Sequence, residues 1–113
     1  MKRAATSKYR AVPTVVDGIR FASKAEARRF SELKLLEKAG EIAGLCLQPQ
    51  YDLHVGGTKI GAYRADFEYS RKHRNPVRWE HVIEDVKGCW TDLARWKVKH
   101  VEAQYGIHVE IVK

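Results

Sequence analysis

The stretch HVIEDVKG, residues 81–88, decides how the chain is read. It opens with the alternation of a half-buried strand, yet two acids and a lysine arrive where the apolar pattern should continue. Successive side chains of a strand point to opposite faces. VRWEHVIEDVK therefore carries His81, Ile83, Asp85 and Lys87 on one side and Val82, Glu84 and Val86 on the other. Asp85 and Lys87 then project from one face, roughly 7 Å apart along the chain. A surface ion-pair cluster, a polar strand end and half of a metal-dependent catalytic site all fit this stretch alone, and its neighbours must choose among them.

Upstream, KIGAYRADFEYS alternates as a strand, with Tyr63, Ala65, Phe67 and Tyr69 on one face and Arg64, Asp66 and Glu68 on the other. If it lies beside the Asp85 strand, Asp66 and Asp85 meet at one end of a sheet. RKHRNP between them reads as a basic loop. LCLQPQYDL is a further strand, alternating at Leu45, Leu47, Tyr51 and Leu53, with Pro49 marking an edge or a bulge. VGGT after it is a turn. Near the start, TVVDGIRF predicts a small hairpin about Asp17-Gly18, a pair suited to positive φ.

Two helices complete the pattern. SKAEARRFSELKLLEKAG has Ser23 as cap, Glu26 as capping-box partner and Gly40 as left-handed stop. At roughly 100° per residue, Phe30 and Leu33 bracket the direction of Glu26, and Ala27 and Leu36 widen that face, so Glu26 looks inward. TDLARWKVKHVEAQYG starts near Thr91 or Asp92 and stops at Gly106, with Leu93, Trp96, Val101 and Tyr105 as apolar anchors. IHVEIVK is a last strand, alternating at Ile107, Val109 and Ile111. The order is hairpin, helix, three strands, helix, strand: an α/β (α+β) mixed sheet with helices packed on it.

The chain has 113 residues, with 21 Lys and Arg against 14 Asp and Glu, a formal charge of +7. That length suits one domain, expected over residues 13–113, preceded by a basic arm over 1–12 that carries Lys2, Arg3, Lys8 and Arg10. The excess of positive charge favours a polyanionic partner, nucleic acid first. Lys24, Arg95, Lys97 and Lys99 are further candidates for phosphate contact. Cys46 and Cys89 have no C-x-x-C partner, which excludes a zinc ribbon or disulfide framework and makes both expected core residues. With no signal-like or membrane-length apolar run, the expected location is cytoplasmic, with no membrane partner.

Chemistry enters through conjunction. Two carboxylates brought together repel in water-poor surroundings, and a divalent cation on hard oxygen ligands relieves them. Glu26, Asp66 and Asp85 are the candidate ligands, and Lys87 can orient water or neutralise phosphate. Taken alone, Glu26 is also explained by capping, and D-x-K also fits an exposed cross-strand pair. Beside Asp85, Glu84 is a competing acid, but strand parity selects Asp85 as the partner of Lys87. His81 reads as structural or exposed, Gln104 and Lys97 as surface residues, and Trp79, Trp90 and Trp96 as packing anchors that could alternatively stack on bases.

Together, DGIRFASKAEARRFSELKLLEKAGEI, LQPQYDL, YRADFEY and EDVKG resemble a phage-associated family of small nucleases within the PD-(D/E)XK superfamily, similar in plan to Holliday-junction resolvases. The resemblance runs from about Tyr9 to Val112. It implies a restriction-endonuclease-like core and magnesium- or manganese-dependent cleavage of phosphodiesters. Asp66 takes the place of the first aspartate, Asp85 the second acid, Lys87 the lysine, and Glu26 the acid on the first helix. The proline that often precedes the first aspartate is replaced by Ala65. DNA is the implied substrate, branched or junction DNA in particular, with a homodimer supplying two active sites in a bacterial host cell. Two alternatives stand beside it: a non-catalytic DNA-binding module on the same fold, and a phage adaptor protein.

Overall fold

A computed structural model describes residues 12–113. Most of the expected basic arm, with Lys2, Arg3, Lys8 and Arg10, lies outside the described residues. The chain forms β1 (Thr14–Val16), β2 (Ile19–Phe21), α1 (Lys24–Lys38), β3 (Ile42–Leu47), β4 (Gln50–Val55), β5 (Thr58–Arg64), β6 (Phe67–Arg74), β7 (Val77–Val86), α2 (Asp92–Tyr105) and β8 (Val109–Val112). A four-stranded sheet runs in the order β3-β6-β7-β8, and β1-β2 and β4-β5 are separate antiparallel pairs. The main sheet is mixed, because β3, β6 and β7 pair antiparallel whereas β8 is parallel to β7 across the α2 crossover.

Local chemistry sets the ends of these elements. Asp17 and Gly18 take φ of 51° and 77°, the left-handed turn a two-residue hairpin needs. The Ser23 side chain accepts the Glu26 N–H at 3.1 Å and caps α1, and Gly40, at φ 80°, ends it. Thr91 caps α2 by accepting the Ala94 N–H at 3.1 Å, and left-handed Gly106 closes it.

Each face of the main sheet carries a core. Phe21, Ala27, Phe30 and Leu33 pack with Ile42, Phe67, Tyr69 and Val82 on the α1 face. Leu53, Tyr63, Ala65, Ile83, Val98, Val101 and Val109 form the other, between the sheet, α2 and the β4-β5 pair. The alternation expected along β7 is present, with Val82 buried on one face and Ile83 on the other.

Several expectations need correction. The chain between the helices makes five strands rather than three. LCLQPQYDL divides between β3 and β4 at left-handed Gln48 and Pro49, and KIGAYRADFEYS divides between β5 and β6 at Ala65 and Asp66. Both breaks fall at one bend. The Gln48 N–H donates to the Asp66 carbonyl at 2.9 Å, and the Ala65 N–H to the Pro49 carbonyl at 3.0 Å. A long antiparallel ribbon thus folds over the sheet end, so Tyr63 and Phe67, which share strand parity, enter different cores. RKHRNP is mostly strand, and only Asn75 and Pro76 turn.

Apolar anchors also shift. On α2, Val98 and Val101 are buried, whereas Leu93 is 61% exposed and Trp96 52%, because the sheet meets only a narrow stripe of that helix. Tyr105 is partly exposed but fastens α2 to β4 by donating its hydroxyl to the Asp52 carbonyl at 2.7 Å. Leu36, Trp79 and Ile111 are exposed too. Cys46 and Cys89 are both exposed rather than core, since Cys46 follows a register shift of β3 and Cys89 lies in the loop after β7. Among the described residues no helix is long and apolar enough to cross a membrane.

Candidate active site

The ends of several elements converge beside the carboxyl end of β7. Asp66 sits in the ribbon bend just before β6, rather than within a strand, and its Oδ2 accepts the Val86 N–H at 2.7 Å. Its own N–H donates to the Glu84 carbonyl at 3.1 Å, which locks the bend onto β7. Asp85 is 2% exposed and faces the α2 side, where the Tyr63 hydroxyl donates to Oδ2 at 2.6 Å. Lys87 leaves the strand end with Nζ 3.2 Å from the same Oδ2. Glu26, buried in the first turn of α1, reaches round the sheet edge. Its carboxylate makes no hydrogen bond to the Ser23 N–H, which a complete capping box requires, so the box is half formed.

Glu26, Asp66, Asp85 and Lys87 all line one cavity of about 640 Å³, with Lys24 and Arg64 on its wall. The four residues span sixty-odd positions of chain, and the fold gathers them. Both helices present their amino ends to this cavity, since Ser23 and Thr91 also line it. Positive helix ends ease the confinement of acids there.

Parity also separates the two adjacent acids of β7. Glu84 points to the opposite face and is fully buried, accepting from Arg29 Nε at 2.7 Å, from Arg29 Nη2 at 2.9 Å and from the Tyr69 hydroxyl at 2.7 Å. Glu84 is thus a bolt between β7 and α1, and Asp85 is the acid of the cavity. Arg29 is one turn beyond Glu26, so the same bolt fixes where Glu26 meets Asp85.

Crowding shows in the proton affinities. Burial first, then a hydrogen bond and the charge of Asp85, push the Asp66 carboxyl up to about 8, against the pull of the Val86 N–H. Burial and Asp85 raise Glu26 as well. Burial and the hydrogen bond to Asp85 hold the Tyr63 phenol well above its usual range, so it stays a donor. Among the described residues, no three His, Cys, Asp or Glu side chains already stand as a metal-ligand group. The donors are of the kind a hard divalent ion takes, but Asp66 and Asp85 are engaged with Val86, Tyr63 and Lys87.

The candidate phosphate contacts divide. Lys24 lines the carboxylate cavity, and Lys97 lines an adjoining hollow. Lys99, exposed, is two residues on from Lys97, about 200° round α2, and points elsewhere. Arg95 pairs with Asp92 at 3.5 Å and lies over Trp90, 5.9 Å from the ring centroid. Gln104 knits α2 to β4, accepting the His54 N–H at 2.8 Å and donating to the Asp52 carbonyl at 3.2 Å. His81 is exposed and paired with Glu68. Sequence reading missed Tyr63, taken for a purely apolar residue, and Arg64, although Arg64 shares strand parity with Asp66 and that parity was the available signal.

No curated protein and no solved structure matches the chain. A family model does match it, over residues 6–112, under the description protein of unknown function (DUF1064). On that match, which spans nearly the whole sequence, the chain belongs to the DUF1064 family.

Proposed function

We propose that the protein is a divalent-metal-dependent DNA endonuclease of PD-(D/E)XK type, with Glu26, Asp66 and Asp85 as metal-facing acids and Lys87 as the phosphate- or water-directing cation. The single observation that carries this reading is that those four residues line one cavity at the end of β7. The order of elements supports it: a helix, three main-sheet strands in antiparallel succession, a second helix, then a strand parallel to the third, as a restriction-endonuclease-like core requires. The β4-β5 pair is an insertion in that plan.

In this reading each residue has a defined task. Asp85, fixed by Tyr63, and Asp66, fixed by the Val86 N–H, present oxygens from neighbouring backbone positions. Glu26 adds a third carboxylate from the other layer. Lys87, 3.2 Å from Asp85, is held where a phosphate oxygen or an attacking water would lie against the acids. A bound magnesium or manganese ion would supply Lewis acidity and offset the developing negative charge. The basic walls, Lys24 and Arg64, draw the polyanion toward a site whose acids would otherwise repel it. Recognition by DNA shape, such as a branch or junction, and a homodimer with two sites belong to the same proposal.

The test is direct. Wild type and Lys87→Ala are incubated with supercoiled plasmid, linear duplex and a four-way junction, in magnesium, manganese or EDTA. Cleavage by the wild type alone, abolished by EDTA, is the expected result. Cutting confined to the junction identifies a resolvase. One observation favours a second reading, a non-catalytic DNA-binding module: the oxygens of Asp66 and Asp85 are already engaged by the Val86 N–H, the Tyr63 hydroxyl and Lys87. That reading predicts binding in EDTA and no nicking with either ion.

A further inference from the structure

Beside the carboxylate cavity lies a second hollow of about 370 Å³, lined by Gln50, Arg64, Lys87, Thr91, Leu93 and Lys97 among others. The two share Arg64, Lys87, Thr91 and Ala94 but differ in charge. The first holds three acids, whereas no Asp or Glu lines the second, which gathers three cations. Its volume falls in the range of small-ligand sites. Among the described residues, neither Arg64 nor Lys97 has an acidic partner in an ion pair, and no acid lines the hollow to supply one. With Lys87 paired to Asp85, Arg64 and Lys97 leave the hollow with uncompensated positive charge, which an anion offsets.

We propose that this hollow is a phosphate subsite, taking a backbone phosphate of the DNA strand next to the one at the carboxylates. The assignment rests on the nuclease reading only for the identity of that strand. Lys87 lines both hollows and pairs with Asp85 at 3.2 Å, so it couples the two. Arg64 offers a planar fork to the phosphate oxygens and Lys97 a point charge, while Gln50 and Thr91 add neutral polar contacts. Leu93, exposed at the rim, provides an apolar ledge for the adjoining sugar or base.

The experiment measures binding in EDTA, where no cleavage can occur. A fluorescein-labelled single-stranded deoxyoligonucleotide is titrated with wild type, Lys97→Gln, Lys97→Arg, Arg64→Gln and Lys38→Gln at several salt concentrations. Lys97→Gln and Arg64→Gln are each expected to lower the slope of log K against log salt by about 0.7, one phosphate contact on a single strand. Lys97→Arg should keep the wild-type slope. Lys38→Gln, an equal charge change at the far end of α1, should keep it too. In parallel, inorganic phosphate is titrated into labelled wild type, with the amide signals of Leu93 and Ala94 expected to move and the oligonucleotide expected to displace it. A wild-type slope for Lys97→Gln, an equal loss in Lys38→Gln, or phosphate that the oligonucleotide cannot displace overturns the subsite. Absence of cleavage in magnesium counts against the nuclease reading alone, since binding is read separately.

Discussion

Replacing Arg29 by Met tests the bolt that sets the register of the site. The Glu84 side chain has no solvent exposure and accepts two N–H groups from Arg29 and one hydroxyl from Tyr69. Met fills much the same volume but leaves a buried carboxylate with a single donor. Breaking a buried pair from one side costs about 3–5 kcal/mol. Arg29 is itself 24% exposed, so water can partly replace it and the low end, about 3 kcal/mol, is the expected loss. For a domain near this size that lowers Tm by about 12 °C. Urea denaturation of wild type, Arg29→Met, Glu84→Met and the double variant forms a thermodynamic cycle. The double variant should be at least about 2 kcal/mol more stable than Arg29→Met, because two apolar groups replace the pair without leaving a charge behind. A single-variant loss under about 1 kcal/mol, or a double variant no better than the single, refutes the reasoning. If the bolt also positions Glu26 against Asp85, calorimetry should show weaker manganese binding by Arg29→Met, although every acid of the cavity remains.

Stability should depend on pH through the crowded acids. Because the folded state raises Asp66 from 3.8 to about 8 and raises Glu26 as well, it binds protons that the unfolded chain releases, so the stability these two acids contribute is full below the unfolded carboxylate range and is lost as pH climbs toward 8. The slope for one such group is about 1.4 kcal/mol per pH unit, and Asp66→Asn should flatten it; denaturation in EDTA that gives equal slopes for both proteins contradicts the picture. Millimolar magnesium, favouring the ionised acids, should reduce the same slope in the wild type. Tyr63→Phe removes the 2.6 Å donor to Asp85 and should cost about 1.5–3 kcal/mol in urea denaturation. Ser23→Ala removes the cap on the turn that carries Glu26 and should cost about 1 kcal/mol, read by thermal melting.

Local rules carried a large part of the fold. The Asp17-Gly18 hairpin, the capped ends of both helices, and the two-faced pattern of β7 depend on backbone geometry and period alone, which a single stretch of residues contains. Parity also sufficed to send Asp85 and Glu84 to opposite faces, because a strand without a bulge leaves no alternative. Where the ribbon bends was not legible. Alternation continues through Ala65 and Phe67 without a break, and only the pairing of Gln48 and Pro49 with Asp66 and Ala65, eighteen and sixteen positions away, reveals the turn.

The candidate site divides in the same way. The sequence by itself determined which residue types are available: an acid in the first turn of α1, an acid on either side of the β6-β7 pair, and a lysine two positions on. Tertiary structure alone decided that they share a cavity, that Tyr63 rather than solvent holds Asp85, and that Glu84 is spent on Arg29. It also decided which face of α2 meets the sheet, leaving Trp96 outside and Lys97 beside the site. The physical reason is range: period and capping act within a few residues of chain, whereas burial and charge crowding arise only when distant segments pack together.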